Sequence, residues 1–326
     1  PERDPVSRDA HENVDRIGEV LASNRLGHPF REEPVPWPEL EADLRAFIAL
    51  DPSDYLHKAR VLPDLLERLY TTHATDPAHR RDALVGLLGA GLNKSVTLLK
   101  NFGAPVLAQL AAVHMRYAAE DLDDAAWVGV AEWRTAQAFS GNRARMLTIS
   151  RRAADQLESD DDPRARQVYG MHHLNASMAS VALRRPDDAQ AHLDEAREVA
   201  EAVNDAPMFA NLNFNKSNWG VWRVSVGVEL GEGPKVAELA RSIDLSVLQT
   251  DRLGVLYGDT ARGLAQDRRT RDKAAAMMLH AERIAPQLVR TNPMMRETVG
   301  DLMRRAKRTA GGRALRGMAY RMGLAA

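Results

Sequence analysis

The sequence predicts an all-α fold made of repeated pairs of helices. Alanine, leucine and arginine, which favour helices, are abundant. Short β-branched runs bounded by turn residues, which mark strands, are nearly absent. From about residue 123, small-residue turns recur at intervals of about 35 to 46 residues, as helix pairs of a repeat protein require. These turns lie at 140–142, 185–188, 231–234 and 267–270.

Prolines and aspartates divide the first part of the chain into helices. Three prolines over 34–38 separate a first helix from the next one, and 51–53 ends that second helix. Ser53 is the expected N-cap of a third helix. Pro77 suits a first-turn position, where its missing N–H costs nothing. The expected helices begin near Trp37 and cover about 54–73, 77–100, 105–120 and 123–139.

Alanine pairs follow two of the recurring turns at a spacing of seven residues. They are Ala189 with Ala196, and Ala274 with Ala281. Small residues at this spacing let the second helix of a tetratricopeptide pair approach its neighbours closely. We therefore expect a tetratricopeptide-like, right-handed helical-repeat superhelix. Its expected parts are an N-terminal helical segment over 1–75, repeats over 76–290, and basic capping helices over 291–326.

Composition excludes several classes of protein. The chain has 326 residues, no cysteine and a net charge of -1. The absence of cysteine excludes disulfide frameworks, thiolate metal sites and cysteine nucleophiles. It is also typical of proteins in the reducing cytoplasm, where we expect this chain. No apolar run is long enough to cross a membrane. The near-zero net charge confines any nucleic-acid contact to a local basic patch.

No catalytic or cofactor motif stands out, so we expect neither an enzyme nor a cofactor. The stretch GLLGAGLNKS over 86–95 resembles a phosphate-binding loop, but Asn93 replaces the glycine that must precede the lysine. A glycine-permitted helix contact is the simpler interpretation. The acidic run over 158–162 lacks calcium-loop spacing. No metalloprotease or nucleophile-elbow pattern occurs, and no metal site is predicted.

The most informative stretch is FANLNFNKSNWGVWR, over 209–223. If it forms one helix, five amide and indole side chains fall within an arc of about 100°. Amides can pair with both the N–H and the C=O of a ligand backbone, so this stripe predicts a groove for a peptide or a small metabolite. The alternative is a structural contact between helices or subunits. The five residues are Asn211, Asn215, Asn218, Trp219 and Trp222.

A neighbouring helix over 166–180 is expected to contribute to the same groove. Met171, Leu174 and Met178 lie on one face, with Tyr169 and His173 near its edge. Methionines suit an adaptable apolar pocket, although a methionine stripe at helical spacing also describes ordinary core.

The last segment, 301–326, carries seven basic residues against the single acid Asp301. Such a tail could contact nucleic acid, or it could form the polar exterior of a terminal capping helix. We favour the cap because an apolar face runs along the segment. That face consists of Leu315, Met318, Ala319 and Met322.

Four stretches of the chain together carry a resemblance to a known family. They are LPDLLERLY, RARQVYGMHHLNASMASVALRRPDDAQAHLDEA, GVWRVSVGVELGEGPKVAELAR and HAERIAPQLVRTNPMMRETVGDLMRRAKRTAGGRALRGMAYRMG. These stretches resemble the C-terminal tetratricopeptide part of actinobacterial helix-turn-helix regulators of the Xre/Cro type. The resemblance covers most of 55–323, and 280–323 is its most specific part.

The resemblance implies a cytosolic transcription regulator. In such proteins an N-terminal helix-turn-helix binds DNA, and the repeats sense a ligand or mediate dimerisation. More distant relatives grip peptides with asparagines on successive helices, a role that Asn211, Asn215 and Asn218 match on one helix only. No helix-turn-helix is found in 1–75, so we expect the DNA-binding domain to lie outside this chain, which begins at Pro1.

Three hypotheses follow. The first is the ligand-sensing and dimerisation region of a regulator, a homodimer that binds a peptide or small-molecule effector. The second is a protein-interaction adaptor without DNA-binding activity. The third, an enzyme on a helical scaffold, would depend on a group such as His173 and is the least favoured.

Overall fold

The computed structural model describes residues 5–25, 27–203, 206–305 and 310–324. Within these ranges the chain consists of helices, turns and bends, and no strand is found. Consecutive helices pack against each other through short turns. The predicted all-α fold is therefore confirmed, while the handedness of the superhelix stays a prediction.

The first helices follow the predicted punctuation. Asp54 rather than Ser53 caps the third helix, accepting a hydrogen bond from His57 N at 3.2 Å. Ser53 instead bonds to Asp51. The predicted helix over 77–100 begins later, at Arg80, and a π-helical turn at Leu87–Gly91 interrupts it. The helices are α1 Pro5–Ser23, α2 Trp37–Ala49, α3 Tyr55–Thr75, α4 Arg80–Gly86, α5 Leu92–Asn101, α6 Pro105–Leu122, α7 Ala125–Ala138, α8 Arg143–Leu157 and α9 Pro163–Ala182.

Among the remaining helices, those that begin at Pro186, Lys235 and Arg271 start at or directly after recurring turns, as predicted. A 3₁₀ turn, Arg268–Thr270, precedes the fourteenth helix. The remaining helices are α10 Pro186–Ala202, α11 Lys216–Glu229, α12 Lys235–Arg241, α13 Thr250–Ala265, α14 Arg271–Ile284, α15 Pro286–Thr291, α16 Pro293–Arg305 and α17 Ala310–Arg321.

The chain divides into two compact units. Unit 1 consists of Pro1–Leu50, Asp54–Ala179 and Asp205–Leu212. Unit 2 consists of Asp51–Ser53, Ser180–Asn204 and Asn213–Ala326. The division between them falls inside the segment predicted to hold the repeats, 76–290, and the boundaries expected at 75 and 290 stay predictions.

In unit 1 the helices from α5 to α8 pack as successive antiparallel neighbours. Between α7, α8 and α9 lies a core of small and medium apolar side chains. Gly129 permits close packing there, because a Cβ at this position would lie 2.8 Å from Val168 and 2.9 Å from Leu157. The core cluster consists of Ala136, Met146, Leu147, Ile149, Ala176 and Ala179.

In unit 2 the central helix is α13, which packs against α11, α12, α14 and α16. Both predicted alanine pairs, Ala189 with Ala196 and Ala274 with Ala281, are fully buried. This burial agrees with their predicted role as small residues at helix contacts. Gly254 of α13 serves the same purpose, because a Cβ there would lie 2.5 Å from the Cβ of Ala285.

The C-terminal helices complete unit 2. The predicted apolar face of α17 is buried, and α17 packs against α14. Arg321 donates to both oxygens of the buried Glu282, at 2.9 and 2.5 Å. Arg304 and Arg305 pair with Asp301. Lys307 and Arg308 lie outside the described residues.

Candidate functional site

The predicted asparagine stripe does not lie on one helix. Helix α11 begins only at Lys216, and the residues before it form a turn. Ala210, Asn211 and Asn213 adopt left-handed backbone conformations, with φ of 50°, 53° and 52°. Asparagine enters this region more readily than most residues because its short side chain can bond locally. The prediction of a single helical face over 209–223 is therefore wrong.

The two remaining asparagines begin helix α11. Asn215 is its N-cap and accepts a hydrogen bond from Asn218 N at 2.9 Å. Asn218 is buried, and its Oδ1 accepts from Arg252 Nε at 2.7 Å. Asparagine is favoured at helix starts because its side chain satisfies backbone N–H groups that have no partner within the helix. Both amides thus have local hydrogen bonds.

The two tryptophans lie farther along α11. Trp219 is half-buried and donates from Nε1 to the carbonyl oxygen of Leu193, in α10, at 2.9 Å. Trp222 is also half-buried, and the Arg252 guanidinium lies 5.8 Å from its ring centroid. Among the described residues, Trp222 Nε1 is buried without a hydrogen-bond partner. A ligand role for these residues stays a prediction.

The other predicted site residues lie on α9. Tyr169 is buried, its ring centroid is 4.5 Å from that of His173, and Arg166 lies over it at 4.5 Å. Met178 is half-buried, whereas Met171 and Leu174 are buried core. Tyr169, His173, Met178 and Asn211 belong to unit 1, and the other four predicted residues belong to unit 2.

The lysine-containing stretch over 86–95 is helical, as expected. It comprises the end of α4, the π-helical turn and the first turn of α5, with no strand before it. In the described part of the chain no group of histidines and carboxylates is placed to hold a metal ion. No described helix is both long and apolar enough to span a bilayer.

A cavity of about 740 Å³ in unit 2 provides a better-defined site, which we call the unit 2 pocket. It lies between α12 and α14, and α13, which packs against both, forms its floor. Its lining combines apolar and basic side chains. The lining residues are Pro234, Ala237, Glu238, Ala240, Arg241, Leu245, Leu256, Tyr257, Thr260, Leu264, Thr270, Lys273, Ala276, Met277, His280 and Arg283.

The floor of the unit 2 pocket is apolar. Leu256, Thr260 and Leu264 of α13 are buried, and their spacing of four residues places them on one helical face. The Thr260 hydroxyl donates to the carbonyl of Leu256 at 2.7 Å, so its hydrogen is already used. Ala237 and Ala240 of α12 are small, which leaves space above the floor.

The rim of the unit 2 pocket is mainly basic. Arg241, Lys273 and Arg283 are exposed at its edge, opposed by a single carboxylate, Glu238. Three cations against one anion favour a ligand with negative charge. Because these groups face water, each contributes modestly to affinity and mainly orients the ligand.

An aromatic pair forms one wall of the pocket. The rings of Tyr257 and His280 meet edge to face, with centroids 4.6 Å apart. Arg283 Nη2 lies 3.3 Å from His280 Nδ1. A guanidinium can only donate, so Nδ1 is the acceptor in this contact. The wall therefore offers two flat rings, one of which contacts Arg283 of the rim.

The sequence carries a signal for this site in the spacing of its turns. The interval between the turns at 232 and 267 is the shortest of the series, and correspondingly α12 spans only seven residues. A shortened second helix leaves the floor helix uncovered. On α14, Lys273, Met277 and His280 follow the spacing i, i+4, i+7, which places them on the face toward the gap.

Comparisons with protein-family models, with curated proteins and with solved structures found no match to this chain. The resemblance to Xre/Cro-type regulators therefore stays a prediction, and the geometry of the unit 2 pocket becomes the main basis for a function.

Proposed function

We propose that the chain is the ligand-sensing and dimerisation region of a bacterial transcription regulator, with its effector bound in the unit 2 pocket. The observation that carries the ligand-sensing part is the pocket itself, with an apolar floor and a basic rim. The resemblance stated above supports the regulator class. In this proposal DNA recognition belongs to a helix-turn-helix domain outside the chain.

The chemistry of the pocket favours a small organic acid over a peptide. A volume of about 740 Å³ lies within the range of small-molecule pockets, roughly 300–1,000 Å³. Affinity comes chiefly from burying an apolar body against Leu256 and Leu264. A carboxylate, sulfonate or similar group then lies toward Arg241 and Lys273, which sets the orientation.

Sensing requires that the ligand prefer one arrangement of the protein. A molecule in the pocket touches α12 and α14 together, and both helices rest on α13. It can therefore stabilise one separation of α12 and α14 over others. Equal affinity for every separation would shift nothing, however tight the binding.

A second function, a protein-interaction adaptor, is favoured by one observation in unit 1. Helix α6 carries an exposed apolar stripe, which we call the α6 stripe. It consists of Val106, Leu110, Val113 and Tyr117, at intervals of four, three and four residues. Val106 is 75% exposed, Val113 44% and Tyr117 57%. This spacing suits pairing with another helix, either in a second copy of the chain or in a different protein.

The unit 2 pocket can be tested with 1-anilinonaphthalene-8-sulfonate, a fluorescent probe with an apolar body and one sulfonate. We expect saturable binding to the folded chain. Ala276→Trp introduces a bulky ring at an exposed lining position and should abolish it. Lys273→Gln should weaken binding by up to about fivefold, as expected for the loss of one exposed charge contact.

The matched control is Lys216→Gln, which removes an exposed lysine outside the pocket and should leave binding unchanged. Thermal unfolding of each variant verifies that the fold is retained. Undiminished probe binding by a folded Ala276→Trp variant would remove the unit 2 pocket from the proposal.

A further inference from the structure

A second cavity, of about 640 Å³, lies in unit 1, and we call it the unit 1 pocket. It is lined by residues from the end of α3, the end of α6 and the start of α4, which packs against both of these helices. Its volume lies within the range of small-molecule pockets, roughly 300–1,000 Å³. Its lining combines both signs of charge with apolar side chains.

Two adjacent arginines at the start of α4 line the unit 1 pocket. Arg80 Nε donates to the carbonyl oxygen of His73 at 3.1 Å, and Arg81 Nη1 donates to that of Leu122 at 3.5 Å. These carbonyls lie in the last turns of α3 and α6, where backbone oxygens have no partner within the helix. A guanidinium has five N–H groups. Capping the two helices therefore uses one N–H of each arginine and leaves the others for a ligand.

No neighbouring carboxylate neutralises these two guanidinium groups. In the described part of the chain, neither Arg80 nor Arg81 forms an ion pair. Other arginines of unit 1 differ in this respect, since Arg68 and Arg164 each pair with at least two carboxylates. An anion in the unit 1 pocket can therefore contact Arg80 and Arg81 without displacing an existing ion pair.

The unit 1 pocket also contains one carboxylate with a fixed orientation. Asp121, in the last turn of α6, accepts a hydrogen bond from Nε2 of the buried His73 at 2.9 Å, through its Oδ2. The Asp121 side chain is 48% exposed. Within the described ranges its Oδ1 has no hydrogen-bond partner. This oxygen can accept a hydrogen bond from a ligand.

Apolar side chains complete the lining. Leu84 of α4 and Leu122 of α6 belong to the buried core and border the cavity. The small part of their surface that faces the cavity can cover methylene groups of a ligand, which contributes to affinity through the hydrophobic effect.

We propose that the unit 1 pocket binds an acidic amino acid or a small derivative of one. Two guanidinium groups suit two carboxylates, because the planar fork of an arginine matches the two oxygens of a carboxylate. Asp121 Oδ1 suits the ammonium group. A dicarboxylate without an amino group would place no cation opposite Asp121, which favours the amino acid. This site is independent of the unit 2 pocket and does not rest on its ligand.

The test uses the full chain with L-glutamate as the probe, titrated by calorimetry at constant ionic strength. We expect saturable binding. Glutarate, which lacks the ammonium group, and L-glutamine, which lacks the second carboxylate, should both bind more weakly. Because the charged groups of the site reach water, each difference should be up to about fivefold.

Two substitutions separate the two parts of the site. Arg81→Gln should weaken L-glutamate and glutarate alike, by up to about fivefold, and Arg80→Gln is a second variant with the same expected result. Asp121→Asn should weaken L-glutamate only, because glutarate has no group that pairs with this carboxylate. The asparagine keeps an oxygen that can accept from His73, so the contact between α3 and α6 is retained.

The matched control is Arg151→Gln, which removes an exposed arginine of α8 outside the unit 1 pocket and should bind like the parent chain. Thermal unfolding without ligand verifies the fold of each variant. Absence of saturable L-glutamate binding to the parent chain would overturn the proposal, as would undiminished binding by folded Arg80→Gln and Arg81→Gln. Equal losses of L-glutamate and glutarate in Asp121→Asn would overturn the assignment of the ammonium group.

Discussion

At the scale of single residues, His172 shows how burial changes the charge state of a side chain. It lies inside unit 1, where its Nε2 donates to the carbonyl oxygen of Gly129 at 3.0 Å. Its Nδ1 is buried without a hydrogen-bond partner among the described residues. Burial lowers the pKa of His172 from 6.5 to about 4. The histidine is therefore neutral in the folded protein.

This shift predicts a loss of stability in acid. Between pH 6.5 and 4 the unfolded chain binds a proton at His172 and the folded chain does not, so acid favours unfolding. Urea unfolding of the parent chain and of His172→Gln should be compared at several pH values. Relative to the variant, the parent should lose about 1.4 kcal/mol per pH unit, about 3 kcal/mol over this range. Parallel pH profiles would contradict the burial of a neutral imidazole.

At the scale of helices, tight contacts in unit 2 depend on residues without side chains. Gly254 of α13 faces Ala285, at the start of α15, so closely that position 254 has no room for a methyl group. Gly300 of α16 is different, because a Cβ there would meet only the flexible end of Arg304 at 3.5 Å. Alanine substitutions at these two glycines can therefore be compared. The comparison separates the effect of packing on the free energy of unfolding from the effect of helix propensity.

Gly254→Ala should destabilise the protein by about 1–3 kcal/mol, because the added methyl group overpacks a helix contact. Gly300→Ala should instead stabilise it by up to about 1 kcal/mol, the difference in helix propensity. Urea unfolding of both variants measures these changes. Equal effects of the two substitutions would show that the approach of α13 to Ala285 is not close.

At the scale of the whole molecule, the α6 stripe leads to a prediction about self-association. Its spacing of four, three and four residues is that of a helix seam, and a seam on identical chains can pair across a two-fold axis. We expect a homodimer in solution. Val113→Glu should convert it to a monomer, because the carboxylate would be buried without a partner in the interface.

Light scattering coupled to size-exclusion chromatography measures the mass. Tyr320→Glu is the control, since Tyr320 is a highly exposed aromatic residue on α17 and lies outside the stripe. Its mass should equal that of the parent. A monomeric parent chain would count against the dimer and support the adaptor, with a different protein on the α6 stripe.

Much of the fold follows from local patterns. The helices after Trp37, the recurring turns and the buried faces of Ala189, Ala274 and Met318 are predictable because periodicity and propensity act over one or two turns. The predicted start of α11 is wrong. Asparagines are favoured at helix caps and in left-handed turns as well as on a polar helical face. A helical-wheel projection of 209–223 presupposes that the whole stretch is helical, so it cannot reveal the turn before α11.

The unit 2 pocket does not follow from local patterns. Tyr257 and His280, which form one of its walls, belong to different helices. Composition, turn spacing and small-residue positions determined an all-helical repeat chain without cysteine chemistry. Packing decided which polar and basic groups face one another, because side-chain proximity, burial and charge repulsion depend on helices that the chain brings together only when it folds.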